Sequence, residues 1–185
     1  MEHKHPIAEA KETSPFGSLT PEQFYARHSS EYITRKQGLK LFTQWWTPNQ
    51  TPIKGVLHVV HGYTGESSWF IQLTSVHIAK HGFAVCALDY MGHGFSEGLV
   101  AHLPDINLVV DECILFFNKF HTGYAPKSAA VFVCGVIGWG NCELITLCRD
   151  EVVPVKPFDG VELNGAMCGI SDKFKPHGRL NISSL

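Results

Sequence analysis

No apolar run in this chain comes near the ~20 residues needed to span a bilayer, so no integral membrane segment is expected. Basic residues are few and scattered. There are 15 Lys+Arg against 17 Asp+Glu in 185 residues, for a net charge of −2, and the electrostatic footprint of a nucleic-acid groove is missing. Met1 to Ser14 is polar, of mixed charge and without an apolar core, so it does not read as a secretory signal. None of the six cysteines (Cys86, Cys113, Cys134, Cys142, Cys148, Cys168) stands in a CxxC pair, which excludes a zinc knuckle and a thioredoxin-like motif. Several lie in apolar runs, where a thiol packs as a small hydrophobe, and we read a reducing context without structural disulfides. Charged residues make up only 17% and apolar residues 44%, which excludes a wholly disordered chain. The length fits one domain or a fragment of a larger one.

What is present is an alternation of strand and helix patterns. Thr20-Pro21-Glu22-Gln23 offers an N-cap, a first-turn proline and an acidic start for a short helix. Glu31 to Lys36 and Leu39 to Thr47 read as strands joined near Gly38. Gly55 to Val60 (GVLHVV) and Phe83 to Leu88 (FAVCAL) are short apolar runs of the kind buried parallel strands show. Residues 68–81 suit a helix stopped by Gly82. Leu103 to Phe120 suits a second, with Pro104 near its start and Val109, Cys113, Phe116, Phe117 and Phe120 on its apolar side. Val131 to Val136 predicts a strand, Cys142 to Arg149 a helix and Val161 to Asn164 a strand. The pattern argues for an α/β sheet with helices on both faces.

In such sheets ligands bind beyond the carboxyl ends of the strands. Three of those ends carry marks: His61-Gly62-Tyr63-Thr64-Gly65, Asp89 to Ser96, and Gly135 to Gly140. By itself, His61-Gly62 is read equally as a tight turn or as a functional loop. Three minor features point elsewhere. His77 and His81 have a chelating spacing, but no third ligand accompanies them, and surface histidines are the plainer reading. Trp45-Trp46 reads either as a lipid-facing pair or, more plainly, as one indole on each face of a strand. Arg35, Lys36 and Lys40 make too small a patch for a membrane or RNA surface.

The stretches SPFGSLTPEQFYARHSSEYITRKQGLKLFTQWWTP, HVVHGYTGESSWF, HGFAVCALDYMGHGFSEGLVAHLPD and LNGAMCGISDKFKP resemble the plant monoacylglycerol lipase, lysophospholipase and caffeoylshikimate esterase group of the serine-aminopeptidase-like α/β-hydrolases. The resemblance runs from about Ser14 to Pro176 with one gap. It implies a three-layer α/β-hydrolase sheet, truncated after about the sixth strand, with the cap and C-terminal strands missing. The implied division is a flexible lead-in over 1–18, a partial hydrolase domain over 19–176, and an out-of-frame tail over 177–185. The implied reaction is ester hydrolysis by a Ser-His-Asp triad with two backbone N–H groups holding the oxyanion. Those donors would be Tyr63, after the His61-Gly62 oxyanion loop, and Ile137, after the nucleophile. The GHGFS segment would support the site rather than react. The implied partner is a small acyl or phenolic ester. No cofactor and no metal is implied, and the implied location is the cytoplasm or the periphery of a membrane.

The nucleophile breaks the pattern. The family elbow reads E-S-L-G-G-A-I-A; the aligned residues are Gly135-Val136-Ile137-Gly138-Trp139-Gly140-Asn141-Cys142. Val136 stands at the serine position, and an isopropyl group neither ionises nor attacks. Cys134 and Cys142 are near but not at the elbow tip. Reading each codon from its second base permits E-S-L-G-G-A-I-A in full, and Val131 to Cys134 permits F-L-Y-A. In the third-base register, Pro176 to Ser184 permits P-W-P-L-E-H-L-L, the family's continuation. We therefore expect a local frame disruption at the elbow and an out-of-frame tail ending at a premature stop. The family's acid, base and cap would follow that point, and Asp159, Asp172 and His177 do not replace them by position. The expectation is an inactive relative of a serine esterase. The alternative is a non-catalytic product that binds a ligand or partner, or a gene fragment with no role; a His-based metal protein is a third class.

Overall fold

The computed structural model describes residues 26–35, 38–49, 52–124, 130–136 and 160–164. Six strands form one sheet in the order β1-β2-β4-β3-β5-β6. They are β1 (Ala26–Thr34), β2 (Lys40–Pro48), β3 (Gly55–Val60), β4 (Phe83–Leu88), β5 (Ala130–Val136) and β6 (Gly160–Asn164). Helix α1 (Trp69–Lys80) connects β3 to β4, and α2 (Ile106–Tyr124) lies between β4 and β5. β1 pairs antiparallel with β2 and β2 antiparallel with β4; β3 runs parallel to both β4 and β5, and β5 parallel to β6.

Strand side chains alternate between two cores, as the two-residue period requires. Val56, Val60, Ala84, Cys86 and Leu88 face α2, where they meet Val109, Val110, Cys113, Phe116, Phe117 and Phe120. Val59, Val85, Ala87 and Trp46 face α1 and meet Ile71, Val76 and Ala79. Helices thus cover both faces, giving the three-layer α/β-hydrolase sheet. The strands after β6 and a cap are not among the described residues. Each buried large apolar side chain contributes about 1.5–3 kcal/mol, so the phenylalanines of α2 carry much of the first core. Trp46 is fully buried against α1, while Trp45 packs on the opposite face beside Phe120.

Some boundaries depart from the sequence expectation. β1 starts at Ala26, five residues before the expected Glu31, because its ladder to β2 runs unbroken from Ala26↔Pro48 to Thr34↔Lys40. α2 starts after Asp105, not at Leu103: Asp105 Oδ1 accepts from the Asn107 backbone N–H at 2.9 Å, a side-chain N-cap. It ends at Tyr124, one turn beyond the expected Phe120. α1 ends as expected, with Gly82 at φ +96° donating its N–H to Ala79 O at 2.9 Å. Arg35 is no part of a basic surface: its side chain is 8% exposed and pairs with buried Glu112, Nη1 to Oε1 2.9 Å. The expected helices after Thr20 and over 142–149 lie outside the described residues.

Candidate functional site

The parallel strands β3, β4 and β5 end on the same edge of the sheet. Val60 ends β3 opposite Gly135 of β5, so the turn opened by His61 leaves the sheet beside Val136, the last residue of β5. Ile137 to Gly140 lie outside the described residues, as do Cys142, Asp172 and His177.

The His61–Gly65 turn is built around one carbonyl. Gly62 O accepts from His61 Nδ1 at 2.8 Å, from the Gly65 N–H at 2.9 Å and from the Tyr90 hydroxyl at 2.9 Å. A carbonyl only accepts, so Nδ1 carries the His61 proton. Burial holds the ring neutral by pulling its pKa down to about 3, against the opposing bond to Gly62. Its Nε2 stands 3.8 Å from Asp89 Oδ1, outside hydrogen-bond distance. An uncharged ring at that distance forms no ion pair. The ring instead stacks on Tyr90, with centroids 4.0 Å apart and planes 14° apart. Close packing also explains Gly65, where a β-carbon would lie 2.9 Å from Gly62 O. Thr64 takes a left-handed φ of 62°, uncommon for a β-branched residue.

Asp89 follows β4 and ties two loops together, the one before α1 and its own. Its Oδ1 accepts from the Ser67 N–H at 2.6 Å and its Oδ2 from the Phe95 N–H at 3.0 Å. The Ser96 hydroxyl donates to its backbone carbonyl. Burial raises the carboxyl to about 6, against the bonds from Phe95 and Ser67. Ser67 is held in turn by Gln44 of β2, whose Nε2 donates to Ser67 O at 2.6 Å and Oγ at 2.7 Å. The loop after Asp89 is gripped from α2 as well: Glu112 Oε2 accepts from the Met91 N–H at 2.9 Å. Burial raises Glu112 to about 7 despite Met91 and the Arg35 guanidinium.

At the surface of this edge, Tyr63 is half exposed and its hydroxyl donates to Ala101 O at 2.9 Å, joining the two loops. Leu99 and Val100 beside it are strongly exposed. The sequence marked His61, Gly62, Tyr63 and the Asp89–Ser96 segment, and the fold brings all of them to one edge. Nothing local in the sequence marks the Tyr90 hydroxyl, Ser67 or Gln44, whose partners lie 22 to 28 residues away. An aspartate closing an apolar strand with a glycine five residues on was the available signal for the Asp89–Gly94 contact. Of the pair His77 and His81, His81 Nδ1 donates to His77 O at 2.8 Å. Among the described residues no three potential metal ligands gather, and no helix is long and apolar enough to cross a membrane.

A mixed sheet of this order, helices on both faces and a His-Gly turn at the strand ends define the α/β-hydrolase class. The serine aminopeptidase S33 family profile matches residues 51–181, and the chain belongs to that family. It is 28% identical over 165 residues to the caffeoylshikimate esterase of Arabidopsis thaliana, covering 87% of this chain and 48% of that protein. It is 27% identical over 104 residues to the monoglyceride lipase of Rattus norvegicus, covering 56% of this chain and 33% of that one. Among solved structures, a soluble variant of the Saccharomyces cerevisiae monoglyceride lipase superposes with a TM-score of 0.59 at 17% identity, over 74% of this chain and 43% of that one. An esterase of Pyrococcus furiosus superposes with a TM-score of 0.54 at 22% identity, over 77% and 52%. The chain spans about half the length, or less, of the curated relatives it matches.

Proposed function

We propose that this chain carries the oxyanion side of a serine ester hydrolase site and does not itself catalyse ester hydrolysis. The observation that supports this reading is Val136 at the end of β5, one residue beyond Gly135, the partner of Val60; the sequence resemblance assigns that position to the nucleophile. Without a hydroxyl there is no acyl-enzyme to form, and no base can activate an isopropyl group. Tyr63 N–H would be one oxyanion donor, supported by His61 and Gly62, and Ile137 N–H the other. Such donors are worth about 2.7–4 kcal/mol each at a developing oxyanion, but leave only residual catalysis when the triad is absent.

The parent chemistry is that of an esterase acting on a monoacylglycerol, a lysophospholipid or a phenolic ester such as caffeoylshikimate. The names of the curated relatives support the monoacylglycerol and caffeoylshikimate members of that range. The chain itself is then a non-catalytic binder of such an ester or of a partner, or a gene fragment with no role. Its place would be the cytoplasm or the periphery of a membrane.

A fluorophosphonate reactive-serine probe and a p-nitrophenyl ester assay test the catalytic half. No covalent labelling and no turnover are expected. Labelling, or turnover abolished at Cys134 or Cys142, would overturn the reading. Thermal shift with acyl and phenolic esters tests the binding half: a shift supports a binder, and its absence supports a fragment.

A further inference from the structure

Two of the three donors on the Gly62 carbonyl, His61 Nδ1 and the Gly65 N–H, belong to the turn itself and would move with it. The third does not. Tyr90 stands beyond the end of β4, is fully buried, and sends its hydroxyl to Gly62 O at 2.9 Å, with His61 O at 3.2 Å sharing the proton. Of the three it is the donor that ties this carbonyl to the neighbouring strand end.

The Gly62–Tyr63 peptide is trans and planar, so its C=O and its N–H point to opposite edges. A carbonyl held inward on Tyr90 therefore turns the Tyr63 N–H away from the buried interior of the turn. Gly62 has no β-carbon to resist rotation of that peptide plane, so an external restraint is needed to fix it. We infer that Tyr90 is a positioning residue: its buried hydroxyl fixes the Gly62–Tyr63 peptide and so aims the Tyr63 N–H for an anion. The inference rests on the reading of Tyr63 as an oxyanion donor.

The test uses the full chain labelled with ¹⁵N and ¹³C, with acetate as the anion. In the unmodified chain, acetate should move the Tyr63 amide proton downfield. Tyr90→Phe keeps the stack on His61 and removes one hydroxyl. It should move the Gly62 carbonyl carbon upfield and weaken the acetate response at Tyr63 by about tenfold, the factor that ~1.4 kcal/mol represents. Tyr90→3-fluorotyrosine, a stronger donor of nearly the same size, should move the Gly62 carbon downfield and serves where the phenylalanine variant fails to fold. An unchanged Gly62 carbon in either folded variant overturns the positioning role. An acetate response that persists undiminished in Tyr90→Phe overturns it as well and leaves the donor reading standing. No acetate response in the unmodified chain overturns the donor reading, and the positioning role with it.

Discussion

A β-carbon on Gly94 would lie 2.0 Å from Asp89 Oδ2. The carboxyl cannot swing aside without cost, because Ser67 N–H holds one oxygen and Phe95 N–H the other. Gly94 also has a left-handed φ of +49°. Gly94→Ala should therefore combine backbone strain with overpacking, and lose about 2–4 kcal/mol. Gly38 is the control: φ is +87° and nothing lies within 4 Å of the added carbon. Gly38→Ala should lose only about 1 kcal/mol. Urea midpoints of the two variants check this, and equal losses would refute the role given to the Asp89 contact.

Four buried groups set a pH dependence with opposing signs. Asp89 and Glu112 are raised by burial from 3.8 and 4.5 to about 6 and about 7. Their neutral forms favour the fold, so that contribution is present at low pH and lost as pH rises through the folded values. His58 and His61 are lowered by burial from 6.5 to about 3. Their contribution is present above the unfolded value and lost as pH falls towards the folded one. Between about pH 4.5 and 6 the unfolded chain holds two protons on the histidines and the folded chain two on the carboxyls, so these four groups cancel. Below about pH 4 the unfolded chain holds more, and stability should fall steeply. Glu112→Gln removes one folded-state proton. Its stability should therefore fall with acidification by about 1.4 kcal/mol per pH unit relative to the parent across that window. Denaturant midpoints at several pH values give the slope, and parallel curves would contradict the assignment.

The ring of His58 stacks on Phe117 with centroids 4.3 Å apart and planes 5° apart, and both are fully buried. Phe117→Ala should lose about 3–5 kcal/mol through the cavity it leaves. Water entering that space should also carry the His58 pKa back up towards its ordinary range, which an NMR titration of the imidazole would follow. An imidazole pKa unchanged in a folded Phe117→Ala chain would show that Phe117 does not supply the desolvation.

The fold was most legible where strands are buried on both faces. β3 and β4 have the expected limits, because GVLHVV and FAVCAL must be continuously apolar to lie between α1 and α2. β1 was least legible. It is one of the two outer strands in the described sheet, and its His-Ser-Ser-Glu stretch shows no alternation; the ladder to β2 imposes its order. The site followed the same division. Glycines and histidines at the strand ends are visible as punctuation, so His61, Gly62 and Tyr63 stood out. The burial of Arg35 was not legible because its partner Glu112 is 77 positions away and no local pattern links the two. The Tyr90 hydroxyl was invisible for a related reason: its acceptors are backbone carbonyls, which carry no sequence identity at all.

The elbow supplies the last prediction, and it concerns the transcript rather than the protein. In the second-base register, the Val136 codon contributes its last two bases and the Ile137 codon the adenine that follows. Valine is GTN, so the shifted triplet is T-N-A, and only cytosine in the middle gives serine. The Val136 codon should therefore be GTC. Trp139 offers no choice, since TGG followed by the guanine of Gly140 gives GGG, the glycine that the family carries there. Neighbouring codons are constrained in the same way: Ile137 must be ATT to give leucine, and Cys142 must be TGC to give alanine. Sequencing the transcript through codons 127–185 reads all of them at once. Any other valine codon at position 136 would mean that the serine was replaced by substitution, and that the elbow diverged in frame.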